Sequence, residues 1–389
     1  MKTILFINGH LNTGGCERSL VDLLNNIDYE EYCVDLLLLE GRGEYFNELN
    51  SNINVYYYPL NNAFGSFAKV IINSIKNKDW FSLRFRLIYL FATKFGKKNL
   101  KFCKSLFKNL RKKYDVIIAY RPGICTELAG YCFDSNFKMS WWHHGEFNYD
   151  KKKANTLFES YMKMDKVAVV SKPCLEMLKD VNPLISDKYI LIQNMVCVDE
   201  IIEKSIKENV SKHNCFSIIS VGRLSYEKNM ILCPMIAKEL KKMNVDFSWT
   251  IIGDGDEKQN IAKYIDDNQL QRCVKLIGSK SNPYPYIFNS DLFVHPSKVE
   301  SQGIAILEAM ALNVPVVVAK SIGPMDFINA DNGILTECSV ESMTKEIIKL
   351  IKDKEKYARL KLNTVLPEQF LPQNVMKRFY DTIGKCYEY

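Results

Sequence analysis

The chain has 389 residues, enough for two domains or more, and its 47% hydrophobic and 25% charged residues are those of an ordinary globular protein. No apolar run approaches the ~18–20 residues that span a bilayer, and the short apolar start, residues 1–9, reads as a first buried strand rather than an export signal. The twelve cysteines are scattered singly, without a Cys-x-x-Cys pair or a zinc-type Cys/His cluster, which points to reduced thiols in a cytoplasmic protein. The net charge of +7 is uneven: residues 69–113 carry fourteen Lys/Arg and one acid, Asp79, so this block is +13 and the remainder is −6 (7 − 13). Such a block needs an anionic partner or a solvated face.

Strand-like apolar runs alternate with amphipathic segments almost throughout. In the first half the runs are Lys2–Asn8, Cys33–Leu39, Val55–Tyr58, Asp115–Tyr120, Lys138–Trp142 and Lys166–Val170. In the second half they are Phe216–Val221, Ser248–Ile252, Val274–Ile277, Leu292–His295, Val314–Val318 and Gly333–Leu335. Continuous apolar strands alternating with helices mean parallel sheets covered on both faces, an α/β class. Two such sets predict two Rossmann-like domains, residues 1–192 and 214–371, joined by a linker over 193–213. From Pro372 to Tyr389, the residues Val375, Phe379, Ile383 and Tyr387 mark one face of a last helix.

The chemistry-bearing motifs follow strand ends. Asn12-Thr-Gly14-Gly15-Cys-Glu17-Arg18 comes after the first strand; its adjacent glycines suit close approach to a ligand and do not fit a dinucleotide fingerprint. Trp141-Trp-His143-His144-Gly145-Glu146 ends another strand, and alternation lets only one histidine face a substrate. In Gly222-Arg223-Leu-Ser-Tyr-Glu227-Lys228-Asn229, Arg223 and Lys228 stand at the carboxyl side of a strand, where they can neutralise a leaving diphosphate. Gly253-Asp254-Gly255-Asp256 reads as a close-packed turn rather than a metal site, and Gly278-Ser-Lys-Ser-Asn282-Pro-Tyr284-Pro-Tyr286 as a loop fixed by two prolines. Finally, Glu300-Ser-Gln302-Gly303-Ile304-Ala-Ile-Leu-Glu308 places one acid before a helix start and one a turn inside it. A helix start offers unpaired N–H groups and partial positive charge to an anion.

The Glu300-x7-Glu308 spacing with Leu307-Glu-Ala-Met-Ala311, together with the Gly-Arg-Leu…Lys-Asn spacing, resembles glycosyltransferase family 4, the large retaining GT-B family. Gln302 stands where that family usually has an aromatic residue. The resemblance implies a GT-B fold of two Rossmann-like domains facing a cleft, with the last helix crossing back onto the first. It implies retaining hexosyl or N-acetylhexosaminyl transfer from a nucleotide-sugar, a UDP-sugar in the first instance, without a metal or other cofactor. It assigns Glu300, His144, Arg223 and Lys228 to catalysis. Donor binding falls to Gly15, Gly253, Asn282, Tyr284, Gly303, Ile304 and Glu308, together with Arg223, Lys228 and Glu300, and the acceptor side to Gly14, Gly15 and His144. Glu300 would take donor-sugar hydroxyls and Glu308 ribose hydroxyls.

Aromatic and aliphatic residues interleave with cations at helical spacing through residues 64–113, which suits a helix lying on an anionic membrane surface; no nucleic-acid motif accompanies it. Local wording such as Val34-Asp-Leu-Leu-Leu-Leu39 looks like bacterial enzymes that extend polyprenyl-diphosphate-linked glycans for capsule, exopolysaccharide or O-antigen. The expectation is therefore a cytoplasmic enzyme, peripheral on the inner face of the cell membrane, with a lipid-linked glycan acceptor. A nucleotide-sugar epimerase of the same fold and a non-catalytic membrane-bound partner of a transferase complex remain as alternatives.

Overall fold

A computed structural model describes residues 1–212 and 214–384. Its first sheet has seven strands: β1 (Lys2–Asn8), β2 (Tyr32–Leu38), β3 (Asn54–Tyr57), β4 (Tyr114–Ala119), β5 (Ser135–Trp142), β6 (Lys166–Val169) and β7 (Tyr189–Leu191). The second has six: β8 (Phe216–Val221), β9 (Phe247–Ile252), β10 (Val274–Leu276), β11 (Leu292–His295), β12 (Val316–Ala319) and β13 (Ile334–Thr336). All the pairings are parallel. The expected strands are present to within about three residues at each end; β7 is an additional short edge strand.

Strand order places the site. The first sheet runs β3-β2-β1-β4-β5-β6-β7 and the second β10-β9-β8-β11-β12-β13. The order reverses between β1 and β4 in one and between β8 and β11 in the other. At such a reversal the crossover helices leave to opposite faces and open a crevice beyond the strand ends. The four loops after β1, β4, β8 and β11 all border one cleft of about 1080 Å³ between the two lobes.

Apolar strands such as Ile4–Ile7 and Val316–Val318 are fully buried, as parallel sheets covered on both faces require. Separate hydrophobic clusters lie on either side of each sheet. Helix Pro372–Gly384 returns from the second lobe and packs Val375, Phe379 and Ile383 into a cluster of the first sheet. Phe379 stacks on Phe6 and Trp141, each 6.5 Å between ring centroids, and the Tyr380 hydroxyl accepts from the Asp28 amide at 2.8 Å. Tyr387, the last residue of that face in the sequence, lies outside the described residues.

Removing the Phe379 ring leaves a cavity between the helix and β1. Phe379→Ala should cost about 3–5 kcal/mol in denaturant unfolding. A loss below about 1 kcal/mol would mean that the helix does not hold the lobe it covers.

Candidate active site

The centre of the cleft is a buried carboxylate. Glu300 lies in the loop after β11 and accepts hydrogen bonds from Lys228, in the loop after β8, and from His295 Nε2 at 2.6 Å. Burial alone would raise its pKa, but the Lys228 charge and the His295 donor outweigh it and hold the carboxyl at about 2. The group is therefore an anion throughout the physiological range, with free acceptor capacity toward the cleft. Its contribution to stability is complete above the ordinary 4.5 and is lost as pH falls toward 2.

Beside it, helix Ile304–Ala311 starts from Gly303, whose φ of 86° turns the chain sharply into the first turn. Ile306 and Leu307 donate to the Gly303 carbonyl at 2.9 and 3.2 Å, whereas the first amides of the helix have no partner within it, and Gly303, Ile304 and Ala305 line the cleft. Arg223, in the loop after the neighbouring strand β8, is exposed, lines the same cleft and has no ion pair among the described residues. A free guanidinium and an amide-lined helix tip form an anion site.

On the far side of that tip, Glu308 is buried and accepts from the Tyr284 hydroxyl at 2.9 Å. Burial pushes its pKa up to about 7, against the pull of Tyr284 and of Arg18. Tyr284 belongs to a short helix, Tyr284–Phe288, where a rigid loop was expected. Pro283 and Pro285 fall at its start, where a missing N–H costs nothing.

Gly14, Gly15, Gly253 and His144 line the same cleft. A Cβ at Gly14 would meet Glu17 Oε2 at 2.5 Å, with Arg223 Nη2 at 3.9 Å, and one at Gly15 would lie 3.5 Å from Ile304, so the glycine loop borders both Arg223 and the helix start. At Gly253 a Cβ would sit 1.9 Å from the Gly222 carbonyl oxygen, which makes this a close-packed turn. Asp254 there pairs with Lys258 at 2.7 Å. Asn282 is the one predicted site residue absent from the cleft lining; its side-chain amide donates to the Lys204 carbonyl at 2.9 Å and ties the loop to helix Val198–Ser205.

Strand alternation does not limit the cleft to one of the two histidines, as the sequence led one to expect. Strand β5 ends at Trp142, so alternation stops before them, and both rings line the cleft. His143 stacks on Tyr120 at 4.7 Å, and its pKa is pushed down to about 3, first by burial and then by the charges of His144 and Arg121. His144 is the more exposed of the two, and the partial burial of its ring, then the Arg121 charge, lowers its pKa as well.

Sequence reasoning missed two groups. His295, on the last residue of β11, fixes Glu300. Arg121, just past β4, lines the first lobe's wall, is held by the buried Glu17 at 3.2 Å and meets His10 Nε2 at 3.2 Å. The available signal was position: each stands at or just past a strand end bordering a reversal of strand order.

The second lobe meets the first lobe and the linker near the site. A Cβ at Gly145 would lie 2.6 Å from the Glu300 carbonyl carbon, so only glycine allows the backbones to meet. Gln302 accepts from the Asn194 amide at 2.8 Å and donates to its carbonyl at 2.9 Å, so the residue in the aromatic position ties the helix start to the linker. Farther out, Arg18 Nη2 spans Asp22 and Glu200, each at 2.7 Å. Its charge fills the space between the carboxylates of the Asp22, Cys197 and Glu200 cluster.

Comparison with known proteins agrees with this geometry. Residues 201–365 match the family described as glycosyl transferases group 1. That segment is a group 1 glycosyltransferase domain. Arg223, Lys228, Glu300 and Glu308 all lie within it. An uncharacterized glycosyltransferase of Haemophilus influenzae is 23% identical over 364 residues, 92% of this chain and 93% of that one. The UDP-Gal:alpha-D-GlcNAc-diphosphoundecaprenol alpha-1,3-galactosyltransferase of Escherichia coli is 26% identical over 66% of this chain and 72% of its own. Among solved structures, Anabaena HepE in complex with UDP and glucose superposes with a TM-score of 0.74 at 17% identity, covering 99% of this chain and all of that one. TarM superposes at 0.72 with 16% identity, over 98% of this chain and 99% of that one. The two-sheet architecture is the GT-B fold.

The raised pKa of Glu308 gives a signed prediction for the group 1 domain. Between pH 4.5 and 7 the native carboxyl keeps a proton that the unfolded one has lost, so stability falls as pH rises through that window. Glu308→Gln removes this cost, and its unfolding free energy relative to wild type should rise between pH 5 and 7, by on the order of 3 kcal/mol, and level off above pH 7. A gap that stays flat or shrinks over that rise would show that Glu308 is not held protonated.

Proposed function

We propose that the protein transfers a sugar from a UDP-sugar to a hydroxyl of a lipid-linked glycan acceptor, with retention at the anomeric carbon. The observation that carries this is that Arg223, with no ion pair among the described residues, lines one interlobe cleft with the start of helix Ile304–Ala311, Glu300 and Glu308. The diphosphate lies between Arg223 and the tip. Glu300, kept ionised by Lys228 and His295, accepts hydrogen bonds from the donor sugar. Glu308 exchanges its Tyr284 bond for ribose hydroxyls.

In the reaction the bond from the anomeric carbon to the diphosphate oxygen breaks, and a bond to the acceptor oxygen forms on the same face. The acceptor proton passes to the departing phosphate oxygen. Arg223, Lys228 and the helix amides stabilise the charge that grows there. His144, neutral at physiological pH, contacts the donor sugar or acceptor from the first lobe. Closure of the lobes at Gly145 and Glu300 excludes water. The E. coli relative's named acceptor, a diphosphoundecaprenol-linked sugar, favours a lipid-linked acceptor here. It also favours a place in bacterial surface polysaccharide synthesis.

Purified protein incubated with a panel of UDP-sugars and a lipid-linked acceptor should give one glycosidic product. NMR should show the donor's anomeric configuration in it. Arg223→Ala should lower turnover by about 10²–10³-fold, the usual loss for a transition-state donor. Undiminished turnover in that variant, or interconversion of the nucleotide-sugar without acceptor, would contradict the reading.

A further inference from the structure

Helix Trp80–Phe95 covers one face of the first sheet with Phe85 and Ala92, both fully buried. A helix in that position should turn polar residues outward. Instead Trp80 is 54% exposed, Leu87 49%, Phe91 46% and Phe95 56%, a stripe at helical spacing on the solvent side. Ile72 and Ile75, on the neighbouring helix Phe67–Lys76, are 64% and 58% exposed. An exposed apolar face of this extent marks an interaction surface.

The charge around it selects the partner. Of the fourteen Lys/Arg in residues 69–113, three form ion pairs among the described residues: Lys97 with Glu127, Lys104 with Asp134 and Lys112 with Asp35. Lys94 lies 5.3 Å from the exposed Phe95 ring and Lys101 5.4 Å from that of Phe102, so ammonium groups border the apolar side chains. The partner must be apolar at its centre and anionic at its rim. A second copy of this face would set one excess of cations against another. A nucleic acid would leave the rings in water.

We propose that this face inserts into the interface of an anionic lipid leaflet, with Trp80, Leu87, Phe91 and Phe95 at the acyl boundary and the lysines at the headgroups. No described helix is long and apolar enough to cross a membrane, so the chain would lie on the leaflet through this face. The inference is independent of which sugar is transferred, or whether any is.

The chain carries its own reporter. Trp141, Trp142 and Trp249 are at most 1% exposed, so Trp80 is the tryptophan that can sense lipid. Added phosphatidylglycerol vesicles should shift its emission to the blue and sediment the protein, whereas phosphatidylcholine vesicles should do neither. A Phe91→Asp/Phe95→Asp variant with unchanged circular dichroism and melting temperature should bind phosphatidylglycerol about tenfold more weakly or worse. Trp80→Phe should abolish the shift while the protein still sediments. Binding without a shift would mean electrostatic adhesion without insertion, and equal binding by the double variant would place the contact elsewhere; either overturns the proposal. So would a lipid-free dimer in ultracentrifugation that the same substitutions dissolve. These measurements need no sugar donor, so a failed transfer assay leaves them standing.

Discussion

One buried carboxylate organises the cleft. Glu300 accepts from Lys228 and His295, and these come from the loop after β8 and the end of β11, the two strands flanking the reversal of strand order. Without those donors a carboxylate this buried would take up a proton, and a neutral acid could not serve as an anionic acceptor. The same interaction fixes the loop from which Gly303 launches its helix, so the helix start and the buried acid beside it are set by one cluster. Glu308, in the same helix and equally buried, lacks a directly bonded cation and sits near neutrality. Two carboxylates eight residues apart thus have different protonation, decided by what surrounds each.

The first lobe completes the site across the cleft. Gly14, Gly15 and Gly145 bring backbone within reach of Arg223, Ile304 and Glu300, and a Cβ at Gly145 would force the lobes apart. Gln302 and Asn194 tie the helix start to the linker, and Arg18, Glu48, Glu200 and Lys204 form a second junction in which the pairs are 2.6–2.8 Å apart. The returning helix Pro372–Gly384 clamps the far side. The cleft is therefore bounded by contacts between lobes as well as by each lobe's own fold.

Much of this was legible in the sequence, for identifiable reasons. Parallel strands buried on both faces leave continuous apolar runs, so β1, β8 and β11 could be read to the residue. Arg223, Lys228, Glu300 and Glu308 stood out because their spacing is tied to a strand end and a helix start. Arg121 and His295 did not, because a single cation or histidine after a strand acquires meaning only when strand order places it at a reversal. Asn282 drew notice through its prolines, but its amide turns to the Lys204 carbonyl, a contact 78 residues away in sequence. The outward stripe on helix Trp80–Phe95 gave only its mixed composition; which side faced the sheet needed the packing.

The central claim is that the guanidinium of Arg223 and the amide tip beginning at Gly303 hold a nucleoside diphosphate. Calorimetric titration of UDP into wild-type protein and Arg223→Ala tests it most directly. The account predicts saturable binding by the wild type and a loss of about tenfold or more in the variant, the scale of one charge-assisted contact to an anion. Equal affinity in the two proteins, or no binding by the wild type, would contradict it.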